Sequence, residues 1–197
     1  MKRTFLILFF ISSQVLYAQK YSSIINDQEI IDFMTWLLTK DSIKTIQYLD
    51  NKIIANDTRV FIPSDSSKNA KFWEYSVFNK SNHVDSLISK NEAKYFANQI
   101  AHQKFMQWEY KFPYHTIMNY PKVTKDKRYN MIVLDSINKI YQTVWAYSLP
   151  VFSVDKKKVI IIERFYCGIV CGGGSFNLYE KHGNAWRKLK EFSKWAN

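Results

Sequence analysis

Glycine and proline are scarce in this chain. Five glycines and four prolines in 197 residues leave little room for flexible linkers, so one folded unit is expected rather than a string of modules. Cysteine is scarcer still, with only two residues, too few for a disulfide-dense scaffold or for the four ligands of a structural zinc site, even with His182 added. The four histidines, His83, His102, His115 and His182, sit in no local catalytic signature. No paired carboxylates at recognisable spacing point to a glycosidase. Beyond residue 18 no apolar run nears the roughly 20 residues of a spanning helix. No internal repeat, cofactor motif or metal-ligand set is present, and no transmembrane segment is expected.

The first 18 residues carry the clearest signal. Lys2 and Arg3 precede an apolar block from Phe5 to Ile11, and Leu16-Tyr17-Ala18 makes a small-residue cleavage site. That is the pattern of a secretory signal peptide, predicting cleavage after Ala18 and a protein that works in the periplasm or is secreted. The remainder, residues 19–197, is long enough for a single domain with a sizeable core, and 47% hydrophobic and 17% aromatic residues make it globular.

Acidic side chains are also in deficit, 17 against 28 basic, a formal charge of +11. Residues 19–120 are nearly balanced, with 12 basic and 11 acidic groups, whereas residues 121–197 carry 14 and 6. A basic carboxyl-terminal half favours an anionic envelope component, such as a lipid head group or acidic glycan. Another envelope protein is the alternative partner, and export argues against nucleic acid. The plain alternative is a solvated, lysine-rich surface.

Periodicity divides the chain. After Asn26 or Asp27 as cap, Ile30, Phe33, Met34, Leu37 and Leu38 recur at helical spacing up to about Lys40. Ile43, Ile46, Leu49 and Ile53 suggest a second helix and a helical hairpin. Val60-Phe61-Ile62 could be a short strand, and residues 71–78 either strand or helix. Ser89-Lys90-Asn91-Glu92 has capping-box spacing and predicts a helix to about Trp108, with Ala93, Phe96 or Ala97, Ile100 or Ala101, Phe105 and Trp108 inward.

From Pro121 the pattern alternates. Strands are expected at 129–134, 140–149, 159–166, 175–181 and 185–192, with turns at 155–158 and His182-Gly183-Asn184. The expectation is therefore an α+β domain. Its N-terminal helices, in a helical part at 19–120, would pack on a C-terminal antiparallel β-meander at 121–197.

One segment concentrates the rare residues: Cys167-Gly168-Ile169-Val170-Cys171-Gly172-Gly173-Gly174 holds both cysteines and four of the five glycines. It reads as a tight glycine-rich loop between strands. In an exported protein, Cys167 and Cys171 would pair and staple it, given a turn sharp enough to bring their Cα atoms within about 7 Å. Metal binding, a thiol nucleophile and a backbone anion nest are the alternatives.

Ser148-Leu149-Pro150-Val151-Phe152-Ser153, the CGxxCGGG segment, and Leu178-Tyr179-Glu180-Lys181 before Trp186 together resemble a family of small exported bacterial proteins, itself uncharacterised. These share an SxPxFS strand, a CGxxCGGG loop and an LYxK hairpin ending in tryptophan. The likeness covers about residues 145–195 and implies no catalytic residue. Residues 149–162 also resemble one strand-turn-strand unit of exported β-propellers, which implies hairpin chemistry only, since the unit occurs once.

The expected function is a non-enzymatic binding or envelope-associated module. Its contact surface would combine Gly168, Gly172, Gly173 and Gly174 with Tyr166, Phe176 and Tyr179, flanked by Lys156, Lys157, Lys158, Arg164 and Arg187. The rival is a thiol-dependent hydrolase using Cys167 or Cys171 with a histidine.

Overall fold

The computed structural model describes residues 20–40, 47–54, 87–104, 107–118, 143–167 and 171–196, with isolated residues 132, 135, 136 and 139. The expected signal peptide, the segments 60–62 and 71–78, and the strand at 129–134 apart from Ile132 lie outside them.

Helix α1 spans Asp27–Thr39. Asn26 caps it, its side chain accepting from the Gln28 amide at 2.8 Å, and Asp27 and Glu29 place negative charge against the positive end of the helix. Asp27 also accepts from the Lys20 and Tyr21 amides at 2.6 and 3.1 Å, which fixes the chain's entry. Helix α2 spans Lys90–Ala101 and opens with both halves of the capping box: Ser89 N–H donates to Glu92 Oε2 at 2.8 Å, and Glu92 N–H to Ser89 Oγ at 3.2 Å.

Seven strands form one mixed sheet: β1 (Gln47–Asp50), β2 (His115–Met118), β3 (Val144–Tyr147), β4 (Val151–Phe152), β5 (Lys158–Tyr166), β6 (Gly172–His182) and β7 (Ala185–Ala196). The spatial order is β2-β1-β3-β5-β6-β7, with β4 also on β5. β1 pairs in parallel with both β2 and β3, and the remaining pairs are antiparallel.

Alternation along β5 and β6 sorts side chains onto two faces. Val159, Ile161 and Tyr179 join Ile30, Phe33, Met34, Leu37 and Leu38 of α1 in one core. Ile160, Ile162, Phe176 and Leu178 join Ala93, Phe96 and Ile100 of α2 in the other. The sheet is thus the middle layer of three. Burying a large apolar side chain on either face stabilises by about 1.5–3 kcal/mol.

Two local devices keep the ladder satisfied. Ser148-Leu149-Pro150 interrupts β3 and β4, and Ser148 bridges the break: its N–H donates to Ile162 O at 3.0 Å and its Oγ accepts from Ile162 N–H at 2.9 Å. On the far side of β4, the buried Gln99 of α2 accepts from Phe152 N–H at 2.9 Å and donates to Phe152 O. A short strand with one ladder partner thereby loses no backbone hydrogen bond.

The expected fold class is overturned. The class is mainly β: two helices and a seven-stranded mixed sheet are defined among the described residues, not N-terminal helices on an antiparallel meander. The division at residue 120 fails because β1 and β2 come from the part read as helical and extend the sheet beyond β3. Where a second helix was expected, Gln47–Asp50 is extended, because β2 and β3 offer it parallel ladders on both sides. Leu49, fully buried, serves either conformation, so its spacing alone misled. Helix α2 ends at Ala101 rather than near Trp108, whose indole sits in the α1 core against Tyr21 and Phe112.

Candidate functional site

The cysteines close the β5–β6 hairpin. Tyr166 pairs with Gly172, Cys167 N–H donates to Cys171 O at 3.0 Å, and a Cys167–Cys171 disulfide joins them with Cα atoms 5.0 Å apart. Both sulfurs are spent in that bond, so neither cysteine is a thiolate here. Three histidines are described. His102 and His115 bond backbone carbonyls through Nδ1, and His182 Nε2 meets Glu180 at 3.0 Å, at the end of β6 away from Cys171. His83 lies outside the described residues.

The glycine run is not a loop. Gly172, Gly173 and Gly174 open β6 and pair with Tyr166, Phe165 and Arg164 of β5; Gly173 and Gly174 also pair with Ala196 and Trp195 of β7. Strands on both sides occupy the backbone of Gly173 and Gly174, and β5 that of Gly172, so the run is ladder rather than an anion-binding nest. Gly168 falls outside the described residues.

The residues expected to form one contact surface do not converge. Arg164, Tyr166 and Phe176 share the α2 face, where Phe176 is buried against Phe192. Tyr179 is fully buried on the α1 face, ringed by Phe33 and Trp36. Arg187 is exposed on β7 opposite Glu180, eight residues along β6 from Gly172, or about 26 Å. Core packing claims Phe176 and Tyr179, and strand length separates Arg187 and the β4–β5 turn lysines from the disulfide; only Arg164 and Tyr166, half-buried beside Gly174 and Gly172, stay near it.

Two other groupings arise from the topology. The first is basic and lies at the turn end of the sheet. The β4–β5 turn is held by Asp155, whose Oδ1 accepts from Ser153 Oγ at 2.6 Å and Lys157 N–H at 3.1 Å. The Ser153 hydroxyl, then the Lys157 amide, holds the Asp155 carboxyl below its usual range. Lys181 N–H donates to Lys157 O at 2.7 Å, joining this turn to the β6–β7 hairpin. Lys157, Lys181 and Arg187 are exposed there and in no ion pair among the described residues, with Asp155 and Glu180 the carboxylates nearest in register or charge. Lys156 pairs with Glu29, while Lys158 reaches Glu92 at 3.2 Å and the Leu87 carbonyl at 2.7 Å, so these two cations are committed. Burial pushes the Glu92 carboxyl up, but the Ser89 hydrogen bonds and Lys158 outweigh it and leave Glu92 below its usual range.

The second grouping is polar and lies on the α1 face between β5 and β6. Glu163 Oε1 accepts from the Tyr179 hydroxyl at 2.7 Å and from Asn177 Nδ2 at 2.6 Å. Asn177 Nδ2 also donates to Ser175 Oγ at 2.7 Å, and Lys40 Nζ donates to the Tyr179 hydroxyl at 3.1 Å. Register creates this chain: Ser175 lies opposite Glu163, and Asn177 and Tyr179 follow at alternate positions. Sequence reasoning missed it. The available signal was Ser175-x-Asn177-x-Tyr179, three hydrogen-bonding side chains on one face of a strand.

No group of three or more His, Cys, Asp or Glu residues placed to hold a metal occurs among the described residues. No described helix is long and apolar enough to cross a membrane. No protein-family model, curated protein or solved structure matches the chain.

Proposed function

We propose that this protein is an exported, non-enzymatic binding module that attaches to an anionic envelope component, a lipid head group or acidic glycan, through the basic turn end of its sheet. The observation that carries the reading is the Lys181-to-Lys157 backbone bond, which brings Lys157 and Lys181 together at one exposed end of the sheet, where Arg187 adds a third cation from the opposite face. A rigid sheet end holding three cations outside ion pairs raises the local potential more than the same charges on mobile loops would. The exposed hairpin disulfide fits an oxidising compartment. Spending both thiols in it counts against the thiol-hydrolase alternative.

The test is sedimentation of the oxidised protein with phosphatidylglycerol-containing vesicles and with neutral phosphatidylcholine vesicles. Binding should be confined to the anionic vesicles and should weaken as salt rises from about 50 to 500 mM. Each basic side chain at such a surface is worth about 1 kcal/mol, so Lys157→Glu, Lys181→Glu and Arg187→Glu together should weaken binding on the order of 100-fold or more. Equal binding to both vesicle types, or indifference to salt, would refute the proposal.

A further inference from the structure

We propose that the α1 face carries a second site, independent of the basic end, that receives an ammonium group at Glu163. Glu163 is half-buried, accepts two neutral hydrogen bonds on one oxygen, and has no ion-pair partner among the described residues. A carboxylate so placed has given up part of its hydration without a direct cation contact, the Lys40 ammonium reaching it only through the Tyr179 hydroxyl.

Its surroundings match what a cation would need. Tyr147 lies beside Glu163 across β3, and one row on, Trp145 pairs with Phe165 and Phe165 with Gly173. Trp145 stacks on Tyr147 at 6.3 Å and packs against Phe165 at 5.6 Å, so three rings adjoin the carboxylate on one face. Glu163, Trp145 and Phe165 are all half-buried, so this row reaches solvent through their side chains, while Gly173 beside them is buried. Aromatic faces and an unpaired carboxylate together form the receptor that ammonium ions prefer.

Asn177 supplies the independent sign. Its side chain is fully buried, yet its Oδ1 has no hydrogen-bond partner, a desolvation cost that an apolar residue at this position would avoid. What the amide does instead is hold Glu163 and Ser175 with its two N–H groups, fixing the carboxylate's direction.

Three lysines lie on this side of the sheet, Lys188 among them with its Nζ 5.8 Å from the Tyr179 ring centroid. Lys40 is engaged with the Tyr179 hydroxyl and lies over the Trp36 and Tyr179 rings. Lys194 is exposed and paired with Ser175 through the β7 backbone. Removing Lys194 should therefore leave ligand binding unchanged or strengthen it.

The oxidised protein would be titrated with tetramethylammonium chloride and n-butylammonium chloride, following heat by calorimetry and the Trp145 indole resonance by NMR. Neopentyl alcohol, a neutral molecule of similar shape, is the control. Saturable binding of either ammonium is expected, at least about tenfold tighter than the alcohol, with a shift at Trp145. Preference for tetramethylammonium would point to a quaternary head group as the source, and preference for butylammonium to a primary amine. Glu163→Gln keeps shape and hydrogen-bond acceptance and should weaken binding at least about tenfold, and Trp145→Ala by about threefold or more. No saturation of the wild-type protein by 100 mM (roughly the weakest binding a cation–π contact would explain), alcohol binding as strong as ammonium, or an unmoved Trp145 resonance would overturn the proposal. So would a folded Glu163→Gln variant that binds as well as wild type.

Discussion

Replacing Cys167 and Cys171 together by serine removes the hairpin clamp while leaving its hydrogen bonds available. The bridge closes a loop with a sequence separation of only 4. On the chain-entropy relation such a loop restricts the unfolded state by about 7 cal/mol/K, or about 2 kcal/mol at 25 °C, toward the low end of disulfide contributions. The folded side should change little, because the Cys167-to-Cys171 backbone bond and the Tyr166–Gly172 pair hold the hairpin independently of the sulfurs. Urea unfolding, followed by tryptophan fluorescence and far-ultraviolet circular dichroism, should therefore show a lower midpoint at nearly unchanged slope, with a stability loss of about 2 kcal/mol. Mild reduction of the wild-type protein should give the same loss. Intact mass should differ by two hydrogens between the oxidised and reduced forms. Two alkylatable thiols in the unreduced protein, or identical midpoints for the oxidised and serine forms, would refute the clamp.

Ser89→Ala removes one half of the α2 capping box and should cost about 1 kcal/mol in the same urea assay. Gly183 sits at φ 61°, with nothing within 4 Å of an added Cβ, so strain there is backbone strain alone. Gly183→Ala should destabilise by about 1–2 kcal/mol and Gly183→Asn by less. Burial lowers the His115 pKa from its ordinary 6.5, against an opposing bond to the Pro113 carbonyl. The folded state then binds fewer protons than the unfolded one, so this contribution is full above about pH 6.5 and is lost as pH falls toward the lower folded value. His115→Gln should flatten stability across that window and leave the later acid loss from Glu92 and Asp155, whose folded pKa values are also lowered.

Local signals were legible where the chain satisfies itself locally. Asn26 with five apolar residues at helical spacing gives α1, Ser89 and Glu92 give the start of α2, and alternation gives β5 and the body of β6. His182-Gly183-Asn184 gives the last hairpin because only glycine takes positive φ there without strain. The failures are all non-local. Gln47–Asp50 is a strand because of partners more than sixty residues away in sequence, and Gly172–Gly174 read as a loop because nothing in glycine itself announces a ladder to β5 or, at Gly173 and Gly174, a second one to β7. Two bulges in β7 turn Leu189 and Phe192 toward the α2 core, which strict alternation would not place together. The Glu163 cluster needs the β5–β6 register, and the basic end needs the Lys181-to-Lys157 contact; neither can be read from spacing.

The proposed attachment surface is open to direct mapping. Backbone amide resonances of the oxidised protein, recorded with and without phosphatidylglycerol nanodiscs, should broaden first around Lys157, Lys181 and Arg187 and recover when salt is raised. Broadening centred on Cys167 and Gly172–Gly174, or none at all, would contradict the assignment of the basic turn end as the attachment surface.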